Sequence, residues 1–324
     1  MGVPKRQGRR SGGGRRKVQP WADVPDAALR AASELRSLPR VVSVSWGLPR
    51  RGEQRALGRA PCLVVHVRLK RDIGDVPDDE RIPKTLYGIR TDVVAVGLPR
   101  LHALDHVDAP FASPDRRGSI TAIGVRGGTA VVLLSGHASL PPPAGEIRRT
   151  YRAAADGPAS VQIRDDAGGS YTANLIVGTF GGSTDWAVAS VDIPLSKVST
   201  WHQAAGANAP LPVRTAPLPA GSRVAQHSTR GKIFAGVVQH GLTPVSLDLD
   251  DGSDPVDYEP VIHVDPLDPP SFSIGGDSGS LVVDEQRRVV GVVIGGASNG
   301  AHSYVLPISG IYAQLGQYRK HFFQ

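Results

Sequence analysis

Ser278 stands in Ile274-Gly-Gly-Asp-Ser-Gly-Ser280, directly ahead of the apolar stretch Leu281-Val-Val283. A serine hydroxyl is a poor nucleophile, so acyl transfer needs it on a tight turn with a base beside it. The reaction also needs donors for the oxyanion that forms on the attacked carbonyl. Gly276 can turn the backbone so that its own N–H and that of Ser278 converge, a conformation a side chain would restrict. A base and an acid that orients it should then lie upstream. Ala130-Val-Val-Leu-Leu-Ser-Gly-His-Ala138 carries His137 from an apolar strand into a turn of small residues, an approach no other of the ten histidines has. Thr184-Asp-Trp-Ala-Val-Ala189 puts Asp185 at the mouth of another apolar strand. Glycine-rich turns, surface histidines and capping aspartates are each common alone. Together they point to nucleophilic hydrolysis.

Something must hold three residues so far apart in sequence, and the chain supplies many short strands. From Gly118 onward, Ile120–Val125, Ala130–Leu134, Ser160–Ile163, Ala173–Val177 and Trp186–Val191 read as β-strands. A second series runs through Val224–Gln226, Ile233–Val238, Val245–Leu249, Val261–Val264, Leu281–Val283, Val289–Ile294 and Ser303–Leu306. Turn signals recur about every 8–12 residues, the mark of a sandwich or barrel. The Pro-rich stretch 209–219 reads as a linker between the two series, and a helix is expected around 308–319. The front differs. Asp26–Arg36 has apolar spacing near 3.6 and predicts a helix, while 41–47, 63–69 and 91–97 alternate as strands do. These make a small α+β unit within residues 20–112, followed by the β-rich part, 113–324.

Composition removes other classes. The 324 residues suggest about two domains, and at 40% hydrophobic and 21% charged they can bury a core. No apolar run approaches the roughly 18 residues of a membrane-spanning helix, so no membrane partner is expected. No 7–15-residue apolar segment follows the basic start, and Cys62 stands alone, which excludes an internal disulfide framework. Both point to a cytoplasmic location. The formal charge of +7 suggests nucleic acid, yet residues 1–20 hold seven bases and no acid, and the remaining 304 balance at 30 of each sign. The excess sits in a tail, 1–19, read as a disordered arm without an aromatic to stack on bases. Contact with nucleic acid is expected, if anywhere, only there.

The order His137, Asp185, Ser278, spaced 48 and 93 residues apart, resembles the chymotrypsin/trypsin-like serine peptidase superfamily. Ser-Gly-His-Ala is similar to that family's Thr-Ala-Ala-His-Cys motif, Asp185-Trp-Ala-Val-Ala to its Asp-Ile-Ala-Leu-Leu motif, and Gly276-Asp-Ser-Gly279 to its nucleophile loop. Ile82-Pro-Lys-Thr-Leu-Tyr-Gly-Ile-Arg-Thr-Asp-Val-Val94 resembles a segment that precedes the peptidase in many bacterial members, which also end with a Pro-Ile helix like Leu306-Pro-Ile-Ser309. The resemblance implies a mainly β chain. It would form a chymotrypsin-like double six-stranded antiparallel barrel (about 118–195 and 215–307) behind the α+β domain, with the site in the cleft between barrels.

It also implies roles. Ser278 would be the nucleophile of a serine endopeptidase acting through an acyl-enzyme, His137 the base, Asp185 the orienting acid, and the N–H groups of Gly276 and Ser278 the oxyanion hole. Chain order separates this from the α/β-hydrolases, where the nucleophile comes first and histidine last. The pocket floor would fall near Phe272 and Ser273, with no acid to attract Lys or Arg, and Ile294, Gly295 and Gly296 would form a wall. No Ile-Val-Gly-Gly follows a cleavage loop, so Asp277 is expected to bond within the chain, and the front unit could be inhibitory. The acids Asp248, Asp250, Asp251, Asp254, Asp257 and Glu259 fit no EF-hand, because Gly252 comes too early, and read as a hairpin loop. No cofactor or metal is expected; protein or peptide is the expected partner. Two other classes compete: an idle peptidase fold that binds a partner, and a nucleic-acid-binding protein using the basic arm.

Overall fold

The computed structural model describes residues 23–51, 54–55, 59–97, 99–101, 107–108, 118–140, 149–164, 169–194, 211–227, 233–249, 254–267 and 271–324. The basic arm, the first two residues of the expected linker, and Asp250 and Asp251 lie outside them. Helix α1, Asp26–Arg36, begins with an acid and ends with a base, each favourable to the helix dipole at its end. Its buried face is Ala28, Ala31, Ala32 and Leu35, three small residues and one large that let the helix lie close on a sheet. That sheet starts with β1 (Val41–Gly47), β2 (Cys62–Val67) and β3 (Ile89–Ala95). β1 and β2 run antiparallel, and β2 and β3 parallel. Two short strands, β4 (Pro99–Leu101) and β5 (Val107–Asp108), follow.

The first β series comprises β6 (Ile120–Arg126), β7 (Thr129–Leu134), β8 (Arg149–Arg152), β9 (Ser160–Arg164), β10 (Ser170–Gly181) and β11 (Thr184–Val191). They form one antiparallel sheet in the order β5-β9-β10-β11-β7-β6, with β8 also on β10. Its interior holds Val132, Leu134, Leu140, Ile163, Phe180 and Ala187. The second series comprises β12 (Arg223–His227), β13 (Ile233–Gly241), β14 (Val245–Leu247), β15 (Val256–Tyr258), β16 (Ile262–Pro266), β17 (Leu281–Asp284), β18 (Val289–Ala297) and β19 (Ser303–Pro307). Six of these close on themselves: β12-β17-β18-β19-β16-β13 and back to β12. The chain is therefore mainly β with a closed six-stranded antiparallel barrel, as expected for the second series. The first series pairs as one sheet whose end strands are not paired with each other among the described residues.

Two features were not anticipated. The front strands continue the second barrel's sheet, because β1 pairs antiparallel with β13 through Ser45 opposite Gly241 and Trp46 opposite His240. Accordingly α1, β1 and β2 share one core with Val264, Phe272, Val293 and Val305. The β14–β15 pair, which carries Asp257, sends Leu247 and Tyr258 into the first series' core instead. The terminal helix runs from Ile308 to Gln314, with short helical turns at 316–318 and 319–322. Gly316 interrupts it at φ 52°. This end of the chain packs Ile308, Ile311, Phe322 and Phe323 against Leu133 and Val188 from one sheet and Val292 from the other. It ties the first sheet to the closed barrel.

Candidate active site

His137 sits in the short helical turn Gly136–Ser139 that β7 leads into. Gly136 has no alternative there: a Cβ would lie 2.6 Å from the Thr179 carbonyl and 2.9 Å from Asp185 Oδ1. That closeness lets Asp185, near the start of β11, grip the histidine twice. Its Oδ1 accepts the His137 backbone N–H at 2.8 Å, and its Oδ2 bonds ring Nδ1. The Ser135 hydroxyl lies 2.9 Å from the same Nδ1 and donates to the carboxylate at 3.3–3.4 Å. An ionised carboxylate only accepts, so it fixes the proton on Nδ1 and leaves a lone pair on Nε2. Nε2 lies 2.8 Å from Ser278 Oγ.

Ser278 comes from the closed barrel, on the turn ahead of β17. The turn is knitted by its own acid: Asp277 Oδ2 accepts the Ile274 N–H at 3.0 Å, and the Asp277 and Ser280 N–H groups bond to the Ile274 and Asp277 carbonyls. Gly276 and Gly279 take φ values of 94° and 93°, conformations an L side chain rarely adopts. At Gly279 a Cβ would also meet the Ser119 carbonyl at 2.4 Å. Gly118 and Ser119, just ahead of β6 in the first sheet, pass across the turn. The Ser119 hydroxyl donates to the Gly276 carbonyl at 2.8 Å and accepts from Ser280 Oγ at 3.0 Å, and its N–H donates to the Ser278 carbonyl. Ser278 Oγ also lies 3.3 Å from the Ile294 carbonyl.

The structure thus gathers His137, Asp185 and Ser278 into one hydrogen-bonded line between the first sheet and the closed barrel, with Gly276 beside Ser278. Ile294 reaches the same place through its carbonyl. Gly295 and Gly296 follow on β18, but their edge is occupied. Gly295, Gly296 and Ala297 pair antiparallel with Leu101, Arg100 and Pro99 of β4. Phe272 is fully buried, its ring part of the second barrel's core, and the Ser273 hydroxyl donates to Ser303 Oγ at 2.6 Å. Those two side chains lie in the barrel interior. Sequence reasoning passed over Ser119 and Ser135. Ser135 was within reach, two residues before the histidine in the quoted motif. Ser119 was not, because nothing in the sequence links it to a turn 157 residues away.

Neither a protein-family model nor a curated protein matches this sequence. Solved structures do. The Rv3671c protease from M. tuberculosis in its active form is 14% identical, covering 100% of this chain and 97% of that one, at a TM-score of 0.36. Its inactive form is 19% identical over 65% and 86%, at 0.38. The MamO protease domain from Magnetospirillum magneticum is 14% identical over 65% and 95%, at 0.33. At such identities and scores the overlays add no weight. The fold assignment rests here on the chain's own strands, the closed barrel above all.

Proposed function

We propose that the protein is a serine endopeptidase. The observation that carries this reading is the line from Asp185 through His137 to Ser278, with Nε2 at 2.8 Å from the hydroxyl it would deprotonate. His137 takes the Ser278 proton as Oγ attacks a peptide carbonyl, then gives it to the leaving amine. Asp185 keeps the imidazole in the needed tautomer and stabilises its charged form. The Gly276 and Ser278 N–H groups receive the oxyanion. Water then hydrolyses the acyl-enzyme by the same proton path in reverse. The wall of the first substrate pocket is assigned to Ile294, Gly295 and Gly296.

The front unit, on this reading, holds the enzyme in check. β4 supplies backbone partners to Gly295 and Gly296, the edge an extended substrate would use, and Ser278 and His137 have no exposed surface. A substrate strand must displace β4 before it can pair there. The deciding measurement is labelling by a fluorophosphonate, in the wild-type chain and in Arg100→Pro, which withdraws the backbone donor that β4 sets opposite Gly296. Labelling that Ser278→Ala abolishes supports the reading. Folded protein that stays unlabelled in both forms would leave a peptidase fold that only binds.

A further inference from the structure

We propose that His66, His263 and His302 form a binding site for a zinc-type divalent ion, outside the cleft. All three are buried, and they come from strands far apart in sequence: β2, β16 and the turn ahead of β19. In the sheet β2 and β16 are separated by β1 and β13, so only strong curling brings their side chains together. One ring nitrogen of each lies within 4.8 Å of the others. A tetrahedral zinc at about 2.0–2.1 Å from each imidazole sets ligand nitrogens about 3.4 Å and ring centroids about 5 Å apart. The centroids here stand 4.5, 4.9 and 5.1 Å apart, so the rings already have that spacing and each nitrogen needs to move less than about 1 Å.

The surroundings are shaped for the rings. At Gly241 a Cβ would come within 3.2 Å of His263 Nε2, so glycine leaves this imidazole its space. The Ser43 hydroxyl, 3.0 Å from His66 Nδ1, fixes that ring and would make Nε2 the ligating nitrogen, with the outer-shell bond that ligating histidines usually make. Tyr304 stands edge-on to His263 and His302 and closes one side. Three imidazoles without thiolate or carboxylate suit zinc and its neighbours, not calcium or magnesium. They fill three positions and leave a fourth for a small ligand.

An ion here would join the front unit, through His66, to the second barrel, through His263 and His302. It would also brace the covered edge, because the Ala297 N–H bonds to the His302 carbonyl at 2.9 Å. The test uses tag-free full-length Ser278→Ala protein, so its outcome does not depend on the peptidase reading. After chelator treatment, cobalt(II) should produce the visible bands of a tetrahedral site, saturating at one equivalent and displaced by zinc. Zinc in excess should raise Tm by several degrees, since binding to the native state alone stabilises it. His263→Ala and the milder His302→Gln, each checked for folding by circular dichroism, should lose both responses. Absence of bands and of any Tm change in the parent would overturn the proposal, leaving packed rings only. So would bands that persist in a folded variant.

Discussion

Two clusters built on buried histidines, the cleft and the β2–β16–β19 group, each join parts of the chain distant in sequence. At the cleft, one imidazole has an acid on one nitrogen and a hydroxyl on the other. At the β2–β16–β19 cluster, three imidazoles face one another with a serine behind and a tyrosine edge across. The difference in partners separates their chemistry. A ring between a permanent acceptor and a weak acid is set to pass a proton. Rings whose nitrogens converge without a carboxylate are set to hold a cation. Gly136 and Gly241 mark the same requirement in both places, backbone brought so near that a Cβ would collide.

The sharpest way to break the comparison is at the cleft. Ser278→Ala should lower kcat on a peptide substrate by about a million-fold, as expected when the nucleophile of a cooperating triad is lost. Asp185→Asn should cost about ten-thousand-fold, because an amide permits the wrong tautomer of His137. Both follow from turnover of a quenched peptide. A loss below about tenfold for Asp185→Asn would mean that the acid is a structural clamp on the His137 backbone rather than the partner of its ring.

A smaller effect should go the other way. Arg100→Pro removes the backbone donor that β4 sets opposite Gly296, and a ladder hydrogen bond is worth about 0.5–1.5 kcal/mol. We expect kcat/KM on peptides spanning the cleft to rise about threefold to tenfold, with KM carrying most of it. An unchanged KM would show that β4 does not compete with substrate. The cobalt bands should persist in this variant, since none of the three clustered histidines lies on β4.

The two sites were not equally visible in the sequence. The cleft was, because acyl transfer demands special backbone around each residue: Gly276 and Gly279 flank the serine, and Gly136 precedes the histidine. The α1 boundaries were visible too, since Ala28, Ala31, Ala32 and Leu35 carry the helical period in their own spacing. The cluster left no such trace. His66 sits in Leu-Val-Val-His-Val, His263 in Val-Ile-His-Val and His302 beside Ala301, each passing for an ordinary strand or turn residue. Only the register that sets Ser43 opposite His66 and Gln239 opposite His263, with the sheet's curl, unites them. The fusion of the front strands to the second barrel was hidden for the same reason, since edge pairing is written in backbone groups every residue carries.

A further buried histidine offers the smallest test. His240 on β13 donates from Nε2 to the Leu218 carbonyl at 2.6 Å, with Asp23 Oδ1 3.2 Å from Nδ1. Burial holds its pKa below the ordinary histidine value, against the opposite pull of the Leu218 carbonyl and the Asp23 charge. A depressed native pKa means that the unfolded chain binds the proton more readily. Its contribution to stability is therefore complete above the unfolded value near 6.5 and is lost as pH falls through the folded one. One proton limits the slope to about 1.4 kcal/mol per pH unit. His240→Gln keeps a donor for Leu218 without titrating. Its denaturant midpoint should fall less steeply than that of wild type between pH 7 and 5, and contributions from the other histidines cancel in the difference. Parallel curves would mean that Asp23 offsets the burial, and that His240 is held by its acid as His137 is.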